Sequence, residues 1–68
     1  MAHPSDNLNV ALQHQREGRL ERAEQAYREI LAQQPDAVDA LNLLGALIYQ
    51  QGRFQEAIAC FEQVLTLQ

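Results

Sequence analysis

Apolar residues return every three or four positions along the first half of the chain, through Leu8, Val10, Ala11 and Leu12 and then Leu20, Ala23, Tyr27, Ile30 and Leu31, with polar residues on the remaining arc. This is the period of an amphipathic helix, and the strict alternation of a half-buried strand is absent. The second half is more apolar. Leu41, Leu43, Leu44, Leu47, Ile48 and Tyr49 surround a third helix on nearly every side, the pattern of a buried helix, although two repeats cannot bury it fully. Ile58, Cys60, Phe61, Val64, Leu65 and Leu67 follow on a fourth.

Breakers separate these runs. Gly18 and Gly52 each stand between two helical stretches, where a residue without a Cβ takes the left-handed conformation at no steric cost. Pro35 disfavours helical geometry at Gln34, and Asp36 is placed to cap the next helix, with Asp39 in its first turn. Ser5 is the expected N-cap of the first helix, with Pro4 just outside it. The expected helices span about 5–17, 20–33, 37–50 and 54–67. Connections this short make consecutive helices antiparallel, so the predicted class is all-α, built of helical hairpins.

The two hairpins are copies of one unit. QGRFQEAIACF at residues 51–61 repeats EGRLERAEQAY at residues 17–27, and the offset is the same 34 residues for Gly18 and Gly52, Ala23 and Ala57, Tyr27 and Phe61. One domain, 1–68, is therefore expected, made of a first unit at 4–37 and a second at 38–68. Gly45 and Ala57 in one copy, and Ala11 and Ala23 in the other, are small enough to let paired helices cross closely. Tyr27 and Phe61 are wedges with a large area to bury, and Tyr27 should reach the helix that carries Leu41 and Leu44.

In period and residue types the chain resembles the tetratricopeptide repeat, whose pattern over 34 residues is W-x₂-L-G-x₂-Y, then A-x₃-F, then P. The second copy reads Leu41, Leu44-Gly45, Ile48, Ala57 and Phe61, and stops before the closing proline. The first reads Asn7, Val10-Ala11, His14, Ala23, Tyr27 and Pro35, with Asn7 and His14 replacing bulky apolar residues, as in a terminal capping repeat. The resemblance implies a short right-handed α-solenoid that binds a peptide or partner-protein segment in a concave groove, as part of a longer repeat protein. The groove residues it implies are Asn9, Leu12, Gln15 and Arg16 from the first copy and Asp39, Asn42, Leu43, Ala46, Tyr49 and Gln50 from the second. The Lys and Asn carboxylate clamp of the chaperone-tail class is replaced by Leu8, Leu12 and Leu43, which disfavours that ligand.

An alternative partner is a second copy of the chain. Two repeats do not cover the apolar side of the fourth helix, so Ile58, Phe61 and Leu65 form a candidate self-association face giving a homodimer. Tyr49 has two open fates, packing against a neighbouring helix or presenting its ring and hydroxyl to a ligand.

Charge and chemistry narrow the remaining classes. The net charge is −4 and the pI about 4.9, with four of the five arginines in the first half. The basic footprint of a nucleic-acid or anionic-membrane binder is missing. The longest nearly apolar stretch, residues 40–49, is half of the roughly 20 residues that a membrane span needs. A single cysteine and the absence of a basic-then-apolar leader fit a reducing, cytoplasmic setting.

No enzyme chemistry is expected. His3, His14 and Cys60 lack the spacing of a structural zinc site, and an amino-terminal copper or nickel chelate through His3 would be broken by removal of Met1. Cys60 has no Lys or His near it in sequence to activate it and reads as an inert thiol. Glu24 and Arg28 are spaced as an ordinary surface pair worth about 0.2–0.5 kcal/mol. The glycines stand singly rather than in a phosphate-binding loop, so no cofactor is expected.

Overall fold

In the computed structural model, which describes residues 4–68 and their side chains from residue 7 onward, four helices follow one another: α1 (Pro4–Arg16), α2 (Leu20–Gln33), α3 (Val38–Gln50) and α4 (Phe54–Leu67). Each packs on the next, so the architecture is two antiparallel hairpins stacked side by side, without a strand among the described residues. The Cα atoms fill only 31 × 26 × 14 Å. In so thin a slab no helix is covered on every side.

The turns within the hairpins are built identically. Gly18 and Gly52 have φ of 81° and 79°, in the left-handed region. At the first, Arg19 N–H donates to His14 C=O at 2.8 Å and Gly18 N–H to Gln15 C=O at 3.1 Å; at the second, Arg53 donates to Ile48 at 3.2 Å and Gly52 to Tyr49 at 2.9 Å. This nested pair of bonds satisfies the last carbonyls of α1 and α3 and requires a residue free of the Cβ penalty at its centre.

Two expected caps are corrected. The first helix already includes Pro4, whose missing N–H is harmless in a first turn, so Ser5 lies inside α1 rather than capping it. Asp36 stays in the turn after Pro35, and Ala37, with φ −71° and ψ 90°, is the residue at the helix boundary. It has no side-chain acceptor, and Asp39 supplies the only acidic group of that first turn.

The core runs through both hairpins. Ala11, Ala23, Tyr27, Leu44, Leu47, Ile48 and Ala57 form one buried cluster. Tyr27 is wholly buried in it, together with Leu44, as its position at the seam between hairpins predicts. Its hydroxyl donates to Gln15 Oε1 at 2.8 Å, which removes the cost of burying an unpaired phenol.

The third helix is buried over only part of its surface. Ala40, Leu41, Leu44, Gly45, Leu47 and Ile48 are buried, but Asp39, Asn42, Ala46, Tyr49 and Gln50 are exposed along one strip. The reason is the slab: α3 has α2 and α4 on two sides and solvent on the exposed strip.

The role of Gly45 also differs in detail from a close backbone crossing. A Cβ at this position would lie 2.7 Å from Phe61 Cε1 and 3.0 Å from its Cζ, so the ring of Phe61 occupies the space that glycine leaves. Gly45→Ala then sets a gain in helix propensity of about 1 kcal/mol against overpacking of about 1–3 kcal/mol. We expect a net loss of stability in the natural chain and a net gain in a Phe61→Ala background, measured by urea unfolding. An effect of the same sign and size in both backgrounds would contradict the packing assignment.

Candidate functional site

The exposed strip of α3 follows from helical geometry. Asp39, Asn42, Ala46, Tyr49 and Gln50 are separated by three, four, three and one residues, which places them along one face. The sixth expected α3 residue, Leu43, is half-buried and packs against the core cluster. On α1, Asn9 and Arg16 are exposed, and Leu12 and Gln15 are half-buried.

Gln15, Ala46, Tyr49 and Gln50 meet around a single open depression of about 430 Å³, and Phe61 of α4 completes its lining. Phe61 is thus shared: the ring that fills the space over Gly45 also forms part of the concave floor. The floor carries no charge, only two amides, a phenol and apolar surface. Gln15 is committed in part, because its carbonyl oxygen holds the buried hydroxyl of Tyr27. Asp39 instead borders a second hollow with Leu8, Ile30 and the inter-hairpin turn. Asn9, Leu12, Arg16, Asn42 and Leu43 line neither hollow.

Tyr49 keeps 59 % of its surface open and is not part of the core. Its ring meets Phe54 at 5.0 Å between centroids and 62° between planes, an edge-to-face arrangement. Phe54 is a contributor that the helical pattern alone passed over. The signal was available, since a residue just after the glycine turn must fold back toward the last turn of the preceding helix.

An ion-pair network fixes one hairpin against the other. Arg53, at the start of α4, donates to both oxygens of Glu24 on α2 at 2.9 and 3.2 Å, while its Nε reaches Glu56 at 2.6 Å and Nη1 reaches Gln51 at 2.7 Å. Glu24 also accepts from Arg28, the expected pair, at 2.9 Å. The side chain of Glu24 is only 16 % exposed, so it is less screened than an ordinary surface carboxylate. The hydrogen bonds from Arg53 are the main cause that holds its pKa below the usual value, with burial opposing and Arg28 assisting.

Burial acts on two further groups. Burial pushes the Cys60 thiol up, and the smaller pull of Arg28 does not reverse it, so the thiolate is disfavoured. Burial likewise raises the Tyr27 phenol. Nδ1 of His14 is buried without a hydrogen-bond partner. Among the described residues no group of three or more His, Cys, Asp or Glu could hold a metal ion, and no helix is long and apolar enough to cross a membrane. His3 lies outside the described residues.

With this geometry in view, the family model described as Tetratricopeptide repeat matches residues 10–68. The match spans the second half of α1, all of α2, α3 and α4, and with them the whole α3 strip.

Because the folded pKa of Glu24 is depressed, its contribution is present above the ordinary carboxyl value of about 4.5 and is lost as pH falls through the lower folded value. Glu24→Gln should therefore flatten the loss of stability between pH 7 and pH 3, seen as closer urea midpoints at the two pH values than in the natural chain. The control Glu29→Gln should leave that difference unchanged. Equal acid sensitivity of the natural chain and Glu24→Gln would contradict the network's role.

Proposed function

The chain belongs to the tetratricopeptide repeat family, and we propose from that premise that it is a protein-interaction module that receives an extended peptide segment along the concave strip of α1 and α3. The family is a protein-interaction repeat without catalysis of its own, and we read this chain as non-enzymatic and as acting in the reducing setting that suits Cys60. The observation that carries the proposal is the depression of Gln15, Ala46, Tyr49, Gln50 and Phe61, which combines apolar surface with amide groups and a phenol.

Those groups suit an extended backbone. Gln50 and the free part of Gln15 can pair with peptide N–H and C=O groups, while Ala46, Phe61 and the open face of Tyr49 receive one apolar side chain. Asn42 and Asp39 continue the strip toward the start of α3, and Arg16 and Asn9 border it from α1. The whole expected set would act as a rim and floor rather than as one pocket.

A second reading is self-association through α4. It is supported by the exposure of Ile58 and Leu65, at 54 % and 73 %, on a helix whose outer side no other element covers.

Panning a library of displayed twelve-residue peptides against the chain tests the groove. Selected peptides should lose at least about tenfold in affinity, or 1.4 kcal/mol, with Tyr49→Ala and with Gln50→Ala. Far-UV helicity of both variants should be unchanged, because both residues are exposed. Glu29→Ala, on the far side of α2, should bind as the natural chain does. Peptides indifferent to Tyr49 and Gln50 would overturn the proposal.

A further inference from the structure

Two residues that line the concave depression hold equivalent places in the two copies: Gln15 on α1 and Tyr49 on α3 are 34 residues apart. Each lies one residue before the end of its helix, with side-chain freedom to lose when a ligand arrives. In the first hairpin that freedom is already restricted. The hydroxyl of Tyr27, on the next helix, donates to Gln15 Oε1 at 2.8 Å.

The second hairpin cannot use the same device. The counterpart of Tyr27 is Phe61, which has no hydroxyl, and its ring lies over Gly45. Tyr49 meets a different residue of α4 instead. Phe54 stands edge-to-face against it, with 5.0 Å between ring centroids and 62° between planes, an arrangement that the ring quadrupoles favour. The counterpart of Phe54 in the first copy is Leu20, which has no ring to offer.

Phe54 is itself placed by the turn. Gly52 N–H donates to Tyr49 C=O at 2.9 Å and Arg53 N–H to Ile48 C=O at 3.2 Å, so the backbone just before Phe54 is tied to the last turn of α3. The side chain of Arg53 is anchored at the same time by Glu24 and Glu56. Phe54 does not line the depression. Its influence on a ligand there passes through Tyr49.

We propose that Phe54 is a positioning residue of the concave site, which fixes the ring of Tyr49 in its binding orientation before the peptide segment arrives. This rests on the reading of the strip as a peptide site and adds to it the residue, outside the depression, that orders its aromatic member. Ordering one contact side chain in advance is worth about three- to tenfold in affinity. That is the loss expected when the Phe54 ring is removed.

The test uses a peptide selected on the natural chain, with affinities measured by calorimetry. Phe54→Ala should weaken binding about three- to tenfold, whereas Phe54→Tyr, which keeps a ring, should stay within about twofold of the natural chain. In a Tyr49→Ala background, Phe54→Ala should change affinity by less than about twofold, because no ring is left to position. In the free natural chain the side-chain couplings of Tyr49 should report one χ1 rotamer, and in Phe54→Ala an average over several, with far-UV helicity unchanged. An unaltered Tyr49 rotamer in Phe54→Ala, or an equal loss of affinity with and without the Tyr49 ring, overturns the proposal and leaves the peptide site standing. So does binding by Phe54→Ala within about twofold of the natural chain. A selected peptide indifferent to Tyr49→Ala overturns both.

Discussion

The buried phenol of Tyr27 is the contact on which the arrangement depends. It belongs to α2, bonds through its hydroxyl to Gln15 of α1, and lies in the same cluster as Leu44, Leu47 and Ile48 of α3. It therefore ties both helices of the first hairpin to the second. A small domain of this length rarely gains more than about 3–5 kcal/mol from its core, and truncating a buried aromatic costs a similar amount. The link from Glu24 to Arg53 sits at the same seam and orients what the ring holds together. These contacts also bring Gln15 of α1 to the depression that the exposed strip of α3 borders.

Repetition then explains both surfaces. Each position of the second hairpin has a counterpart in the first, and the two differ in whether another described element packs on them. Tyr27 is covered and Phe61 only half so; Glu24 is paired and its counterpart Ile58 is open. The concave strip is polar enough to stay solvated, with Asp39, Asn42, Tyr49 and Gln50 among its members, whereas the outer stripe of α4, Phe54, Ile58, Phe61 and Leu65, is apolar. The two faces therefore differ in chemistry, amides and a phenol on one and aliphatic side chains on the other. Phe61 stands between them.

Much of the fold was legible in the sequence because its signals are local. The helical period, the glycines at two left-handed turns and the constant offset located α2 and α4 to the residue, and α1 and α3 within one. The caps were less legible, because Asp36 and Ala37 compete to end the same turn and the winner depends on the path of the chain after Pro35. The exposed strip of α3 could not be separated from its buried sides by composition, since Ala46 and Tyr49 are themselves apolar. What decided it was the thickness of the slab, a property of how the helices stack. The edge-to-face pair of Tyr49 and Phe54 and the bond from Arg53 to Glu24 also depend on tertiary placement, which periodicity does not carry.

The claim at the centre of this account is that the strip along α1 and α3 is the surface that receives a protein segment. The most direct measurement is an amide chemical-shift titration of the labelled chain with a tightly bound selected peptide. The account predicts that the perturbed amides cluster at Gln15, Asn42, Ala46, Tyr49, Gln50 and Phe61, with the outer residues of α2 and the other exposed residues of α4 unmoved. Perturbations concentrated along Glu21–Ala32, or along the outer stripe of α4, would contradict it.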